Sequence, residues 1–341
     1  MLENLVAAVT PLLLIVGGSS PTPDVAGETP PVWLNGQFNK GDTIVSVPYP
    51  ASFGPYEGTG PMGPSVQVGV TNALALQNVA VSQGIPTTLM GASQGALVID
   101  QVIADDARNG VDPKAVSFIV IEDPERGSGI LTGFRGITIP IIDYKPIQIP
   151  VSPYNVTVVT VEYDGIADFP NNVLNVLADI NAIMGAATYH STVAYSNLAD
   201  VPQADITVST NGAGGVTTSY LVPTVQLPLT EPLRLLGIPA QVVDAIDRVL
   251  RPIIDSAYVG RLKIDAAPAA EETTSKRLST ESTTHVNVPR NDTVPGRQPP
   301  GHARTTMTVR PVAPDRPILQ SERTIRTQRP HRMTKGQNQT R

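Results

Sequence analysis

The stretch TTLMGASQGALVIDQV, residues 87–102, sets Ser93 between two glycines, with strand-forming residues before it and a helical pattern after it. A strand that passes into a helix through so few residues must turn sharply. In the pattern G-x-S-x-G, Gly91 and Gly95 permit that turn and let the backbone pass close to neighbouring elements. Ser93 then stands at the carboxyl edge of a sheet and at a helix N-terminus. The N–H of the next residue, Gln94, points to where a tetrahedral oxyanion would form. In this context the pentapeptide reads as a nucleophile elbow, with a plain strand-to-helix turn as the alternative.

The flanking sequence has the same alternation. Apolar runs at 12–16 (LLLIV), 43–47 (TIVSV), 116–121 (VSFIVI) and 156–163 (VTVVTVEY) read as strands. A stretch at 65–84 has Val66, Val70, Ala73, Leu74 and Ala80 near a 3.6-residue period, with Gly84 as its stop. Strands rich in β-branched residues and separated by helices imply a parallel sheet covered on both faces, with sites at the carboxyl ends of its strands. The excursion at 124–153 is too interrupted by proline for a central strand and reads as an arm or lid over the sheet.

A serine hydroxyl is a weak nucleophile and needs a base held in turn by a carboxylate. The four histidines are His190, His285, His302 and His331, and the last three lie in a C-terminal stretch of different composition. If the folded part carries a Ser-His-Asp set, its base is therefore His190. In this chain order the acid falls between serine and histidine, after the fifth strand, where VEYDGIADFP offers Asp164 and Asp168. Asp168 is favoured, because the acid commonly stands a few residues beyond the strand end; Asp164 is the alternative. The segment 171–185 reads as an amphipathic helix closed by Gly185, after which a loop returns His190.

A second oxyanion donor is expected from the loop after the first strand, GGSSPTP (17–23), through Ser19 or Ser20. That loop lacks both G-x-G-x-x-G and the phosphate-cradling G-x-x-x-x-G-K-[ST], which argues against nucleotide binding. No cofactor and no metal site is expected. The absence of cysteine excludes disulfide scaffolds and thiolate-held metals.

Charge and aromatic content divide the chain near Asp265. Residues 1–264 hold 11 Lys and Arg against 23 Asp and Glu, whereas residues 265–341 hold 13 against 7. All fifteen aromatic residues precede the boundary, the last being Tyr258. The expected organisation is one α/β domain over 1–264 and a disordered basic tail over 265–341, since the tail has too little apolar surface to offset the entropy of ordering. Its dispersed arginines suit either a solvated extension or contact with a polyanionic surface. No apolar run reaches the roughly 20 residues of a membrane-spanning helix. The N-terminus lacks the positive region of a signal peptide, with Glu3 present and no Lys or Arg before Lys40.

In order along the chain, GGSSPTP, GASQGALVIDQVIADD, VEYDGIADFPNNVLNVLADINAIMGAATYHSTVAY, SYLVPTVQLPLTEPLRLLGIP and IIDSAYVGR resemble the PE-PPE domain of mycobacteria and their relatives. The resemblance covers roughly 10–262, and D-G-x-A-D-F-P followed by N-A-x-x-G and His is its most specific part. It implies a cutinase-like α/β-hydrolase fold, with a mostly parallel sheet flanked by helices. It also implies a serine esterase or lipase acting on acyl esters, with acyl transfer between envelope lipids as a variant. Ser93 would be the nucleophile, His190 the base and one aspartate of D-G-x-A-D the acid. The resemblance points to secretion or the cell envelope, although the helical N-terminal domain that many members carry is not seen before the hydrolase part.

The expected partner is an acyl ester or lipid. Apolar residues of 124–153 and 222–258 are candidates to line an acyl groove or form a lid, with core packing as the other reading. A non-catalytic binding module that keeps the fold is the reading furthest from an enzyme. The oligomeric state is open.

Overall fold

The structure is a computed structural model that describes residues 10–24, 32–39 and 41–260. The expected disordered tail at 265–341 lies outside the described residues, as do residues 1–9 of the N-terminus.

The apolar runs form the strands of one sheet: β1 (Leu12–Val16), β2 (Thr43–Ser46), β3 (Thr87–Ala92), β4 (Val116–Ile121) and β5 (Val156–Val161), joined by β6 (Ile206–Thr210) and β7 (Val216–Val222). Their spatial order is β2-β1-β3-β4-β5-β7-β6. All pairings are parallel except the β6–β7 hairpin at the edge. The hairpin turns on Asn211-Gly-Ala-Gly-Gly215, an Asn-Gly signal between β-branched runs that the sequence reading passed over.

Helices α1 (Met62–Ser82) and α2 (Gln94–Asn109) cover one face, and α3 (Val176–Thr188), α4 (Glu231–Leu235) and α5 (Ala240–Asp255) follow later in the chain. Because side chains alternate across a strand, each central strand feeds two cores. Leu14, Val16, Leu89, Phe118, Val120 and Val158 pack with Val66, Val70, Leu97 and Ile103 of α1 and α2. Leu13, Ile15, Met90, Ile119, Ile121 and Val159 pack on the other face with Trp33, Leu34, Val193 and Leu198 from irregular segments. A smaller cluster joins Tyr163 and Ala178 to Leu227, Ile254 and Tyr258.

Helix α3 departs from its expected bounds at both ends. Asn175 caps it by accepting from the Ala178 amide, and it continues past Gly185 to Thr188. Gly185 is there for close approach: a Cβ at this position would overlap the Tyr163 carbonyl. The excursion at 124–153 holds one short 3-10 turn, Thr132–Phe134, and is anchored by Arg126, whose Nε donates to Asp100 on α2 at 3.0 Å. Among the described residues no helix is long and apolar enough to cross a membrane.

Candidate active site

Three neighbouring strands leave the sheet at its carboxyl edge through non-glycine residues with positive φ: Ser93 after β3 (53°), Glu122 after β4 (51°) and Tyr163 after β5 (64°). Such backbone costs of order 1–3 kcal/mol per residue and persists only where the surroundings enforce it.

At Ser93 the enforcement comes from the two glycines. A Cβ on Gly91 would overlap the Gly95 carbonyl, and a Cβ on Gly95 would overlap the carbonyls of Val16 and Gly17 in β1 and its loop. The elbow is thus pressed against both the following helix and the neighbouring strand. Ser93 N donates to the Ile121 carbonyl at 2.9 Å, which ties the turn to β4.

His190, two residues beyond α3, bridges Ser93 and an aspartate. Its Nε2 lies 2.8 Å from Ser93 Oγ and its Nδ1 lies 2.6 Å from Asp164 Oδ2. Asp164 is fully buried, and its carboxylate also accepts from the amides of Ile166 (3.0 Å) and Ala167 (3.3 Å). Burial alone pushes this carboxyl up, but its interactions with Glu122 and His190 outweigh it and hold the group below its ordinary value.

Asp168, the favoured acid from sequence, is not the residue brought to His190. Its Oδ2 accepts from the Tyr163 amide at 2.9 Å, and its own amide donates to the Asp164 carbonyl. The loop after β5 curls back at once, so the residue nearest the strand end meets the ring while Asp168 braces the turn.

The loop after β1 is latched beside Ser93. Tyr49 donates its hydroxyl to Gly17 O at 2.6 Å, and Gly17 N donates to Asp24. Of the two expected donors here, Ser20 is corrected: its N–H is spent on the Ala51 carbonyl at 2.9 Å. Ser19 lines the cleft with Gln94. The Gln94 side chain does more than sequence suggested. Its Nε2 donates to Ser52 O (2.9 Å) and Ser19 Oγ (3.1 Å), and its Oε1 accepts from Ser65 Oγ (3.0 Å). It pins the Ser19 loop, the Ser52 loop and α1 around the elbow.

A cleft of about 820 Å³ opens over Ser93 and His190. Its walls are mainly apolar, with Met62, Leu97, Ile121 and Ala187 joined by Ile130, Leu131 and Ile142 from the 124–153 excursion. No residue of 222–258 lines it; Leu227, Leu250, Ile254 and Tyr258 pack instead with Tyr163 and Ala178 of α3.

Glu122, absent from the sequence reading, completes the surroundings. Ligand-type atoms of Glu122, Asp164 and His190 lie within 4.8 Å of one another, a donor set that by composition suits a cation. The 2.6 Å contact of His190 Nδ1 with Asp164 Oδ2 is within direct hydrogen-bond distance.

A parallel sheet crossed by helices, with a serine on a strained strand-to-helix turn and a histidine against it, defines the α/β-hydrolase class. The chain belongs to the PE-PPE domain family, whose model matches residues 41–259. It is 40% identical over 186 residues to diacyltrehalose acyltransferase Chp2 of Mycobacterium tuberculosis, covering 51% of each chain. It is 31% identical over 219 residues to esterase PE16 of the same organism, covering 61% of this chain and 41% of that protein. The chain spans about half the length of these curated relatives. Among solved structures, a cutinase-like protein from Cryptococcus is similar at 18% identity and a TM-score of 0.33, over 47% of this chain and 79% of the other.

Proposed function

We propose that this chain is an ester-acting serine enzyme that carries an acyl group on Ser93, and that it hydrolyses carboxylic esters with an apolar acyl part. The observation that carries this reading is the unbroken hydrogen-bonded run from Asp164 through His190 to Ser93, at 2.6 and 2.8 Å. A buried carboxylate on Nδ1 holds the tautomer that leaves Nε2 free to accept the serine proton.

In the proposed reaction Ser93 Oγ attacks the acyl carbon and its proton passes to His190 Nε2. The carbonyl electron pair moves to oxygen, which the amides of Gln94 and Ser19 receive. Collapse of that intermediate breaks the ester bond, and the leaving alcohol takes the proton from Nε2. A water activated by the same ring then releases the acid and restores Ser93. The apolar walls of the cleft support an acyl chain over a charged or sugar group at this point.

A second reading is acyl transfer, in which an alcohol replaces water in the last step. The relative named an acyltransferase, at 40% identity, favours it over the 31% of the relative named an esterase. Nitrophenyl acetate, octanoate and palmitate, each assayed with and without trehalose, separate the two. Free acid as the product throughout supports hydrolysis; acylated sugar at the expense of acid supports transfer. Octanoate turned over faster than acetate supports the apolar groove.

A further inference from the structure

Glu122 closes β4, is 1% exposed, and keeps a positive φ that no glycine relieves. Its Oε1 accepts from the Val161 amide at 2.8 Å, which fastens it to the end of β5, three residues before Asp164. Its Oε2 is buried with no N–H or O–H donor facing it. The titratable groups around it are Asp164 and Asp168 from the loop after β5 and His190 beyond α3.

A buried carboxylate oxygen with no donor is costly, and two ionised carboxylates cannot hydrogen-bond each other. Both problems vanish if Oε2 carries a proton. Its acceptor is then Asp164, a carboxylate oxygen of which lies within 4.8 Å of one on Glu122. We propose that Glu122 is a positioning residue: as a neutral carboxylic acid it donates to Asp164 and fixes the carboxylate that faces His190. Burial, followed by the hydrogen bond and charge of Asp164, pushes the Glu122 carboxyl well above its ordinary value, in keeping with that state.

This inference rests on the serine-enzyme reading, and its test has a readout independent of activity. Glu122→Gln is neutral, keeps a donor for Asp164 and keeps an acceptor for Val161; Glu122→Leu keeps bulk and loses both. The first readout is the pH dependence of fluorophosphonate labelling of Ser93. The second is the ring titration of His190 by NMR of protein labelled with ¹⁵N-histidine.

Glu122→Gln is expected to label within about threefold of wild type, with the acidic limb and the His190 titration unmoved. Glu122→Leu is expected to label about ten- to hundredfold more slowly, with the limb moved upward as Asp164 loses its donor. A downward shift in Glu122→Gln overturns the proposal, because it means a negative charge was removed. An unchanged Glu122→Leu overturns it as well. If Glu122→Leu does not fold, the titration of Glu122→Gln alone decides. A wild type that never labels sinks the serine-enzyme reading, while the His190 titration still judges Glu122.

Discussion

Asp164 lies 2.6 Å from the His190 ring, while Asp168, four residues on, turns its carboxylate to the Tyr163 amide. The two aspartates therefore separate experimentally. Asp164→Asn is expected to lower kcat by about 10³- to 10⁴-fold, since an amide both loses the charge and misdirects the tautomer. Asp168→Asn is expected to keep kcat within about tenfold, its main cost falling on the melting temperature. Steady-state rates on a nitrophenyl ester, with thermal melts of both variants, check this.

Gln94 holds three segments with one amide, so its removal is expected to act on both stability and rate. Gln94→Ala leaves Ser52 O and Ser65 Oγ short of a partner in a buried place, a loss of about 1–3 kcal/mol. The backbone N–H stays, so the labelling rate of Ser93 is expected to fall about tenfold rather than vanish. The pH profile is expected to keep its shape.

Gly95 tolerates no side chain. A Cβ there meets the Val16 and Gly17 carbonyls, backbone atoms that cannot swing aside. Gly95→Ala is expected to cost more than about 3 kcal/mol or to prevent soluble expression, whereas Gly110→Ala, in open space at a left-handed helix end, costs only about 1 kcal/mol. Denaturant melts of the two proteins give the comparison.

Asp106 supplies a pH test away from the site. Burial raises its carboxyl to about 6, against a hydrogen bond from Gln77 that lowers it. The folded chain holds this proton more tightly than the unfolded one, where the group titrates near about 3.9. The resulting stability is full below about pH 4 and is lost as pH rises through 6. Gln77 Oε1 is buried without a donor, so an amide at 106 can serve it. Asp106→Asn is expected to raise the melting temperature by about 2–4 °C near pH 8, with little change near pH 4. An equal change at both pH values would refute this account.

Much of this was legible in the sequence because it is local. The elbow needs only a strand, two glycines and a helix, and the four apolar runs, with the strand-forming residues before Ser93, became strands β1 to β5 within two residues at each end. His190 followed from elimination among four histidines. The choice between Asp164 and Asp168 was not legible, because it depends on how tightly one loop curls, and both residues belong to that loop. The β6–β7 hairpin was missed for its polar, Thr-rich composition, which the search for apolar runs does not favour. The apolar 222–258 segment was a composition argument, and composition cannot tell a groove wall from the packing on Tyr163 that the structure has. Glu122 stood in plain view after VSFIVI at a strand's carboxyl end, but a lone carboxylate beside Asp123 and Glu125 carries no signal until Asp164 is placed next to it.

The most direct measurement of the central claim is covalent labelling by a fluorophosphonate probe of wild type, Ser93→Ala and His190→Ala, each shown to be folded by its thermal melt. Wild type is expected to label at one site, Ser93→Ala not to label, and His190→Ala to label at least about a hundredfold more slowly. Labelling that survives in Ser93→Ala, or a folded wild type that takes no label, would contradict that claim.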